Sequence, residues 1–151
     1  MSPRRTRIEK VVTLREKELD QRVAKLSDQR AAEARALTAE ERKKAEVDQA
    51  SESRLKMADG DAVTAGSWIE ANEWLASRQK QLEQARVEAA RAQLETKKAQ
   101  GAVMSARADL KKVELLSDRI QQQEQSEAQV LERRLEDELT QMRFRRTEDS
   151  K

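Results

Sequence analysis

LASRQKQLEQARVEAARAQLETKKAQGAVMSARADLKKVELLSDRI, from Leu75 to Ile120, decides the fold. Leu75, Leu82, Ala89, Thr96, Val103, Leu110 and Ser117 recur at a seven-residue interval. Ala85, Ala92, Ala99, Ala106, Val113 and Ile120 form a second column interleaved with the first. These are the a and d positions of a heptad sustained for about six repeats, the mark of a left-handed coiled coil. The many alanines predict a thin seam with closely approaching backbones. Gly101 lies inside the stretch and costs roughly 1 kcal/mol against Ala. The period passes through it unshifted, so it reads as a close-packing position and not as a stop.

Outward from this stretch, the spacing predicts a second helix over about 68–146 and a first over about 4–57. The break falls at about 59–67, where Gly60, Asp61, Thr64 and Gly66 gather. Ser67 and Glu70 have the spacing of a capping box, which would start the second helix. The first helix keeps the heptad more sparsely, at Val12, Leu19, Val23, Leu26, Leu37 and Val47, with polar gaps at Arg30, Glu33, Glu40 and Lys44. Neither helix is stable alone, so each must bury its stripe on something. A short break makes antiparallel folding-back the simplest solution. With the turn near residue 62, paired numbers sum to about 125. Val23 then meets Val103, Leu19 meets Ala106, Val12 meets Val113, and Leu37 lies near Ala89. The fold class expected is all-α, a single two-helix antiparallel coiled coil about 80 Å long, as a monomer; a parallel dimer or a looser oligomer is the alternative. The second helix outruns the first by about 25 residues.

Composition agrees. Of 151 residues, 40% are charged and 2% aromatic, with three Gly and one Pro. Such a chain cannot build an ordinary globular core. Its abundant residues are strong helix formers in periodic order, which argues for a coiled coil and against disorder. The 31 basic and 29 acidic residues nearly cancel. That balance suits solvated helix faces, not the one-sided basic surface of a nucleic-acid binder. No apolar run approaches the length of a membrane span. The basic start, Pro3 to Arg7, lacks the apolar region of a secretory signal.

Candidate chemistry is sparse. His, Cys and Tyr are absent. This excludes imidazole general bases, Cys–His and Ser–His–Asp arrangements, disulfides, and His or Cys metal sites. No glycine loop could cradle a phosphate. Carboxylates such as Glu136, Asp137 and Glu138 have no cavity to perturb them on a solvated helix. The expectation is a non-enzymatic protein without cofactor or metal.

Three features could carry binding. Trp68, Ile69, Trp74 and Leu75 cluster after the turn, with Leu55 and Met57 before it. They either staple the turn shut or anchor a partner. Val130, Leu131, Leu135, Leu139, Met142 and Phe144 lie on the overhanging end, most of them along one stripe. They either form a self-association seam or enter a groove or pore of another protein. Arg4, Arg5, Arg7 and Lys10 would meet Arg143, Arg145 and Arg146 where the termini come together, a basic patch that is either simply solvated or suited to an acidic protein surface or, less well, nucleic acid or anionic lipid.

The termini carry a resemblance. Arg7-Ile8-Glu9-Lys10-Val11-Val12-Thr13-Leu14-Arg15-Glu16 resembles the opening of the FliJ family of flagellar export proteins and their injectisome stalk relatives. That opening reads roughly aromatic-x-Leu-Glu-x-Val-Leu-x-Leu-Arg-Glu; Thr6 and Arg7 stand where the family has its aromatic. Leu135 to Leu139 followed by Arg143-Phe144-Arg145-Arg146 looks like the family's closing stretch. The resemblance implies an antiparallel coiled coil similar to the stalk of rotary ATPases. It implies a cytoplasmic protein peripheral to the inner membrane, whose joined termini enter the hexameric export ATPase and whose other end meets the export gate. Carried onto this chain, Ile8, Val12, Leu131, Leu135, Leu139, Met142, Phe144 and Arg145 would face the ATPase ring. Leu55, Trp68, Ile69, Trp74 and Leu75 would face the gate. The family is also linked to export chaperones, whose contacts the resemblance assigns to no residue. The residues alone leave a second reading open, a scaffolding coiled coil that self-associates through the overhang.

Overall fold

The computed structural model describes residues 2–60 and 63–150. Asp61, part of the turn signal, lies outside them. Two helices make up the described fold: α1 is Pro3–Ala58 and α2 is Ala65–Asp149. They pack as an antiparallel helical hairpin. The start of α1 follows from Ser2-Pro3. The Ser2 hydroxyl accepts the N–H of Arg5 at 3.1 Å, and Pro3 takes the first helical position, where no N–H is needed.

The start of α2 differs from the capping box expected at Ser67. Thr64 is the cap: its hydroxyl accepts the N–H of Ser67 at 3.1 Å, and the Ser67 hydroxyl donates back to the Thr64 carbonyl at 2.9 Å. The cap therefore lies three residues earlier than expected, and Ser67 returns a bond to the cap carbonyl and not to its N–H, while Glu70 is exposed. A hydroxyl at the third helical position competes well because both partners are short and already in reach.

The chain divides into two units, Asp20–Ser105 and Met1–Leu19 with Ala106–Lys151. In the first, Lys43 Nζ reaches Gln81 Oε1 at 3.2 Å, Arg78 Nη1 reaches Glu46 Oε2 at 3.0 Å, and Arg54 Nη1 reaches Asn72 Oδ1 at 3.2 Å. The Thr96 hydroxyl donates to the Ala92 carbonyl at 3.0 Å and reaches that of Gln29 across the seam at 3.4 Å. Partner numbers add to between 124 and 126, which is the register expected from the turn. Of the α2 columns, Leu75, Leu82, Ala85, Ala89, Thr96, Ala99 and Val103 are buried and Ala92 is half-buried.

On α1 the seam lies one residue earlier than several expected positions. Leu26 and Ala50 are buried, and Gln29, Ala36, Glu40, Lys43 and Val47 are half-buried. Val23 and Leu37 are exposed, as are Arg30 and Lys44. The register therefore sets Arg22, not Val23, opposite Val103, and Ala36, not Leu37, opposite Ala89. The seam pairs a largely polar α1 with an alanine-rich α2. Long Lys, Arg and Glu side chains lay their methylenes over the small residues and keep their charges in water.

In the second unit Ile8, Ala106 and Ile120 are buried, and Val12, Arg15, Leu19, Leu110, Val113 and Ser117 are half-buried. Ser2 Oγ donates to Glu124 Oε1, which fixes the same register at the start of α1. Arg15 pairs with Glu18 at 3.0 Å, but its Nε is buried without a partner, a local cost in this seam. Gly101 is not a close-packing position. It is exposed, and an added Cβ would meet nothing within 4 Å.

Candidate functional site

Glu124 is the last residue of α2 that α1 covers. Residues 125–150 are all exposed. Continuing the hairpin's a and d columns through them gives Glu127, Leu131, Arg134, Glu138, Gln141, Arg145 and Glu148, a polar seam. The apolar residues instead stand at Ala128, Leu131, Leu135, Leu139 and Met142. Steps such as Ala128 to Leu139 and Leu131 to Met142 are eleven residues, a period that drifts around an α-helix in the sense opposite to a heptad seam, so the stripe does not continue the left-handed winding of the hairpin. At 100° per residue these five residues fall within an arc of about 80°. Val130 and Phe144 lie on the opposite side of the helix, so the six large residues of the overhang do not form one face. All six are solvent-exposed.

Ile8 and Val12 do not join the overhang. Ile8 is buried and Val12 half-buried where α1 packs on α2, in register with Ser117 and Val113. The basic patch expected from joined termini is not assembled either. The Ser2–Glu124 contact places the start of α1 nineteen residues before Arg143 on α2, about 28 Å along the helix. Arg5 is instead paired with Glu9 at 3.5 Å.

The residues near the turn belong to the other unit, and the structure sorts them by role. Leu75 is buried in the seam, where the register sets it opposite the equally buried Ala50. Trp68 is on the same seven-residue column, with the Arg54 guanidinium 6.0 Å from its ring, and stays 36% exposed. Trp74 flanks the seam with Arg78 at 5.7 Å and is 41% exposed. Each indole is thus half committed to an arginine that also ties the two helices. Leu55 and Ile69 each sit one residue past a seam position and fall on the side of the hairpin away from Trp74. Both are exposed, so the expected five-residue patch is two smaller ones.

Among the described residues no group of three or more carboxylates stands close enough to hold a metal ion. Glu46 is held below the usual carboxylate range, first by the hydrogen bond from Lys43 and then by the charges of Lys43 and Arg78. Its partners are those that bridge the helices, so the shift reflects hairpin structure. No helix of the described residues is long and apolar enough to cross a membrane.

The described residues thus form a helical hairpin whose longer helix carries an exposed apolar stripe beyond the end of the shorter one. Residues 4–149 match the family of the flagellar FliJ protein. The chain belongs to the FliJ family, whose members are components of the flagellar export apparatus and are not known as enzymes. No curated protein and no solved structure matches the chain.

Proposed function

We propose that this chain is a non-enzymatic coupling stalk of the flagellar export apparatus, which inserts its overhang into the hexameric export ATPase and meets the export gate near its turn. The observation that carries this reading is the overhang: 26 consecutive exposed residues, 125–150, bearing an apolar stripe on a helix that needs no further partner within the hairpin. Exposed stripes of this kind dock in grooves and pores of other proteins. Leu131, Leu135, Leu139 and Met142 make the ring contact, with Phe144 and Arg145 on other faces of the same helix. Ile8 and Val12 act indirectly by holding the base of the overhang. Leu55 and Ile69, with the exposed parts of Trp68 and Trp74, supply the gate contact, while Leu75 supports them from within the seam. Export chaperones are further partners on this reading.

The test measures hydrolysis by the purified export ATPase with and without this chain. Stimulation is expected, and Leu135→Asp or Met142→Asp should abolish it with no change in helix content. Leu55→Asp with Ile69→Asp should leave that stimulation intact and weaken capture by the cytoplasmic part of the gate protein. Absence of ring binding, or full stimulation by both overhang variants, would overturn the reading.

A further inference from the structure

The stripe on the overhang reads the same in both directions. From Ala128 through Leu131, Leu135 and Leu139 to Met142 the gaps are three, four, four and three residues. A stripe of that symmetry is self-complementary under a two-fold axis through Leu135, as an isologous contact requires. We infer that the free chain pairs with a second copy of itself, overhang against overhang, antiparallel and centred on Leu135. Leu135 then faces the second copy's Leu135, Leu131 faces its Leu139, and Ala128 faces its Met142. All five are exposed, so the hairpin need not open.

Charge supports the same alignment. On one flank of the stripe stand Glu127, Arg134, Glu138 and Arg145. Antiparallel pairing brings Glu127 to within two residues, about 3 Å along the axis, of the level of the second copy's Arg145, and Arg134 to the same distance from the level of its Glu138, within reach of these long side chains. The two-fold axis makes each pair occur twice. On the other flank Glu132 comes near the second copy's Glu136, an opposed pair that keeps the association reversible. A parallel pairing would instead set each of these charges against its own like. The stripe is about 21 Å long from Ala128 to Met142, which is a small interface of the kind that forms and dissolves with concentration. Pairing and ring insertion use the same residues and therefore exclude each other. The spacing and the charges carry the pairing on their own, whether or not the overhang enters a ring.

The chain has no cysteine, so single thiols report the geometry in the full chain. Leu135→Cys should cross-link to itself under mild oxidation. Leu131→Cys and Leu139→Cys should each stay monomeric alone, because antiparallel pairing sets like positions about 12 Å apart along the axis. Mixed together they should form a heterodimer. Sedimentation should give a dimer that dissociates on dilution and is lost in Leu135→Asp. Glu127→Arg should weaken it by about 3- to 10-fold, and adding Arg145→Glu should restore it. A chain that stays monomeric at every concentration, or Leu131→Cys that cross-links to itself as readily as Leu135→Cys, overturns the proposal. Neither result would bear on ATPase stimulation.

Discussion

Leu26 and Val23 lie within one turn of α1, and the structure gives them opposite roles. Leu26 is 8% exposed and in register with the buried Ala99, whereas Val23 is 41% exposed. Leu26→Ala removes three side-chain carbons from the seam, worth about 2.4 kcal/mol at roughly 0.8 kcal/mol each. A two-helix seam lets neighbours and solvent relax into the gap, so the expected loss is about 2 kcal/mol, at the lower end for Leu→Ala. Val23→Ala removes two half-exposed carbons and gains about 0.6 kcal/mol of helix propensity. The two effects offset, and the expected change is within about 0.5 kcal/mol of zero. Urea unfolding of both variants, followed by far-ultraviolet circular dichroism, measures the difference. If Val23→Ala costs as much as Leu26→Ala, or more, then Val23 and not Arg22 faces Val103, and the register is wrong.

Gly101→Ala should stabilise the chain by up to about 1 kcal/mol, because the helix gains propensity and the new methyl meets nothing; a lower unfolding midpoint would show that Gly101 is packed after all. Thr64→Ala should lose about 1 kcal/mol of capping while Glu70→Ala is near neutral, and thermal melts of the two variants separate this from a cap at Ser67. Because folding lowers the pKa of Glu46, its contribution is present above the ordinary carboxylate value of about 4.3 and is lost as pH falls through that value and below. Glu46→Gln should therefore flatten the acid limb of a stability-against-pH curve, and an unchanged limb would exclude the Lys43–Glu46–Arg78 bridge as its source.

The hairpin was legible because α2 carries its seam in unambiguous residues. Leu75, Leu82, Ala85 and Val103 keep one heptad phase, and the turn near residue 62 then sets the register. The α1 seam was harder to read for a physical reason. Its inward positions include Gln29, Glu33, Glu40 and Lys43, which are polar and only half-buried, and Arg22, which is exposed. Val23 and Leu37 are more apolar but sit one residue off the seam, and residue type alone favours them. The cap at Thr64 was obscured by the Ser67–Glu70 spacing, which fits the capping template although the helix is capped three residues earlier. The overhang was foreseen from helix lengths, but the separation of Arg4 and Arg7 from Arg143 to Arg146 depends on which residue of α2 faces Ser2. Where Leu55, Trp68, Ile69 and Trp74 point depends on the arginines beside them, which no spacing rule weighs.

The change of apolar period after Glu124 divides mutational sensitivity along one helix. Up to that residue, a damaging substitution on the inward columns of α2 loosens the hairpin and registers as a lower melting point. Beyond it, a substitution on the eleven-residue stripe spares the packing within the hairpin and registers through what the stripe binds, a second copy of the chain included. A saturation scan of α2, scored once for folding and once for motility, should therefore split into two tracts that meet within a turn of Glu124.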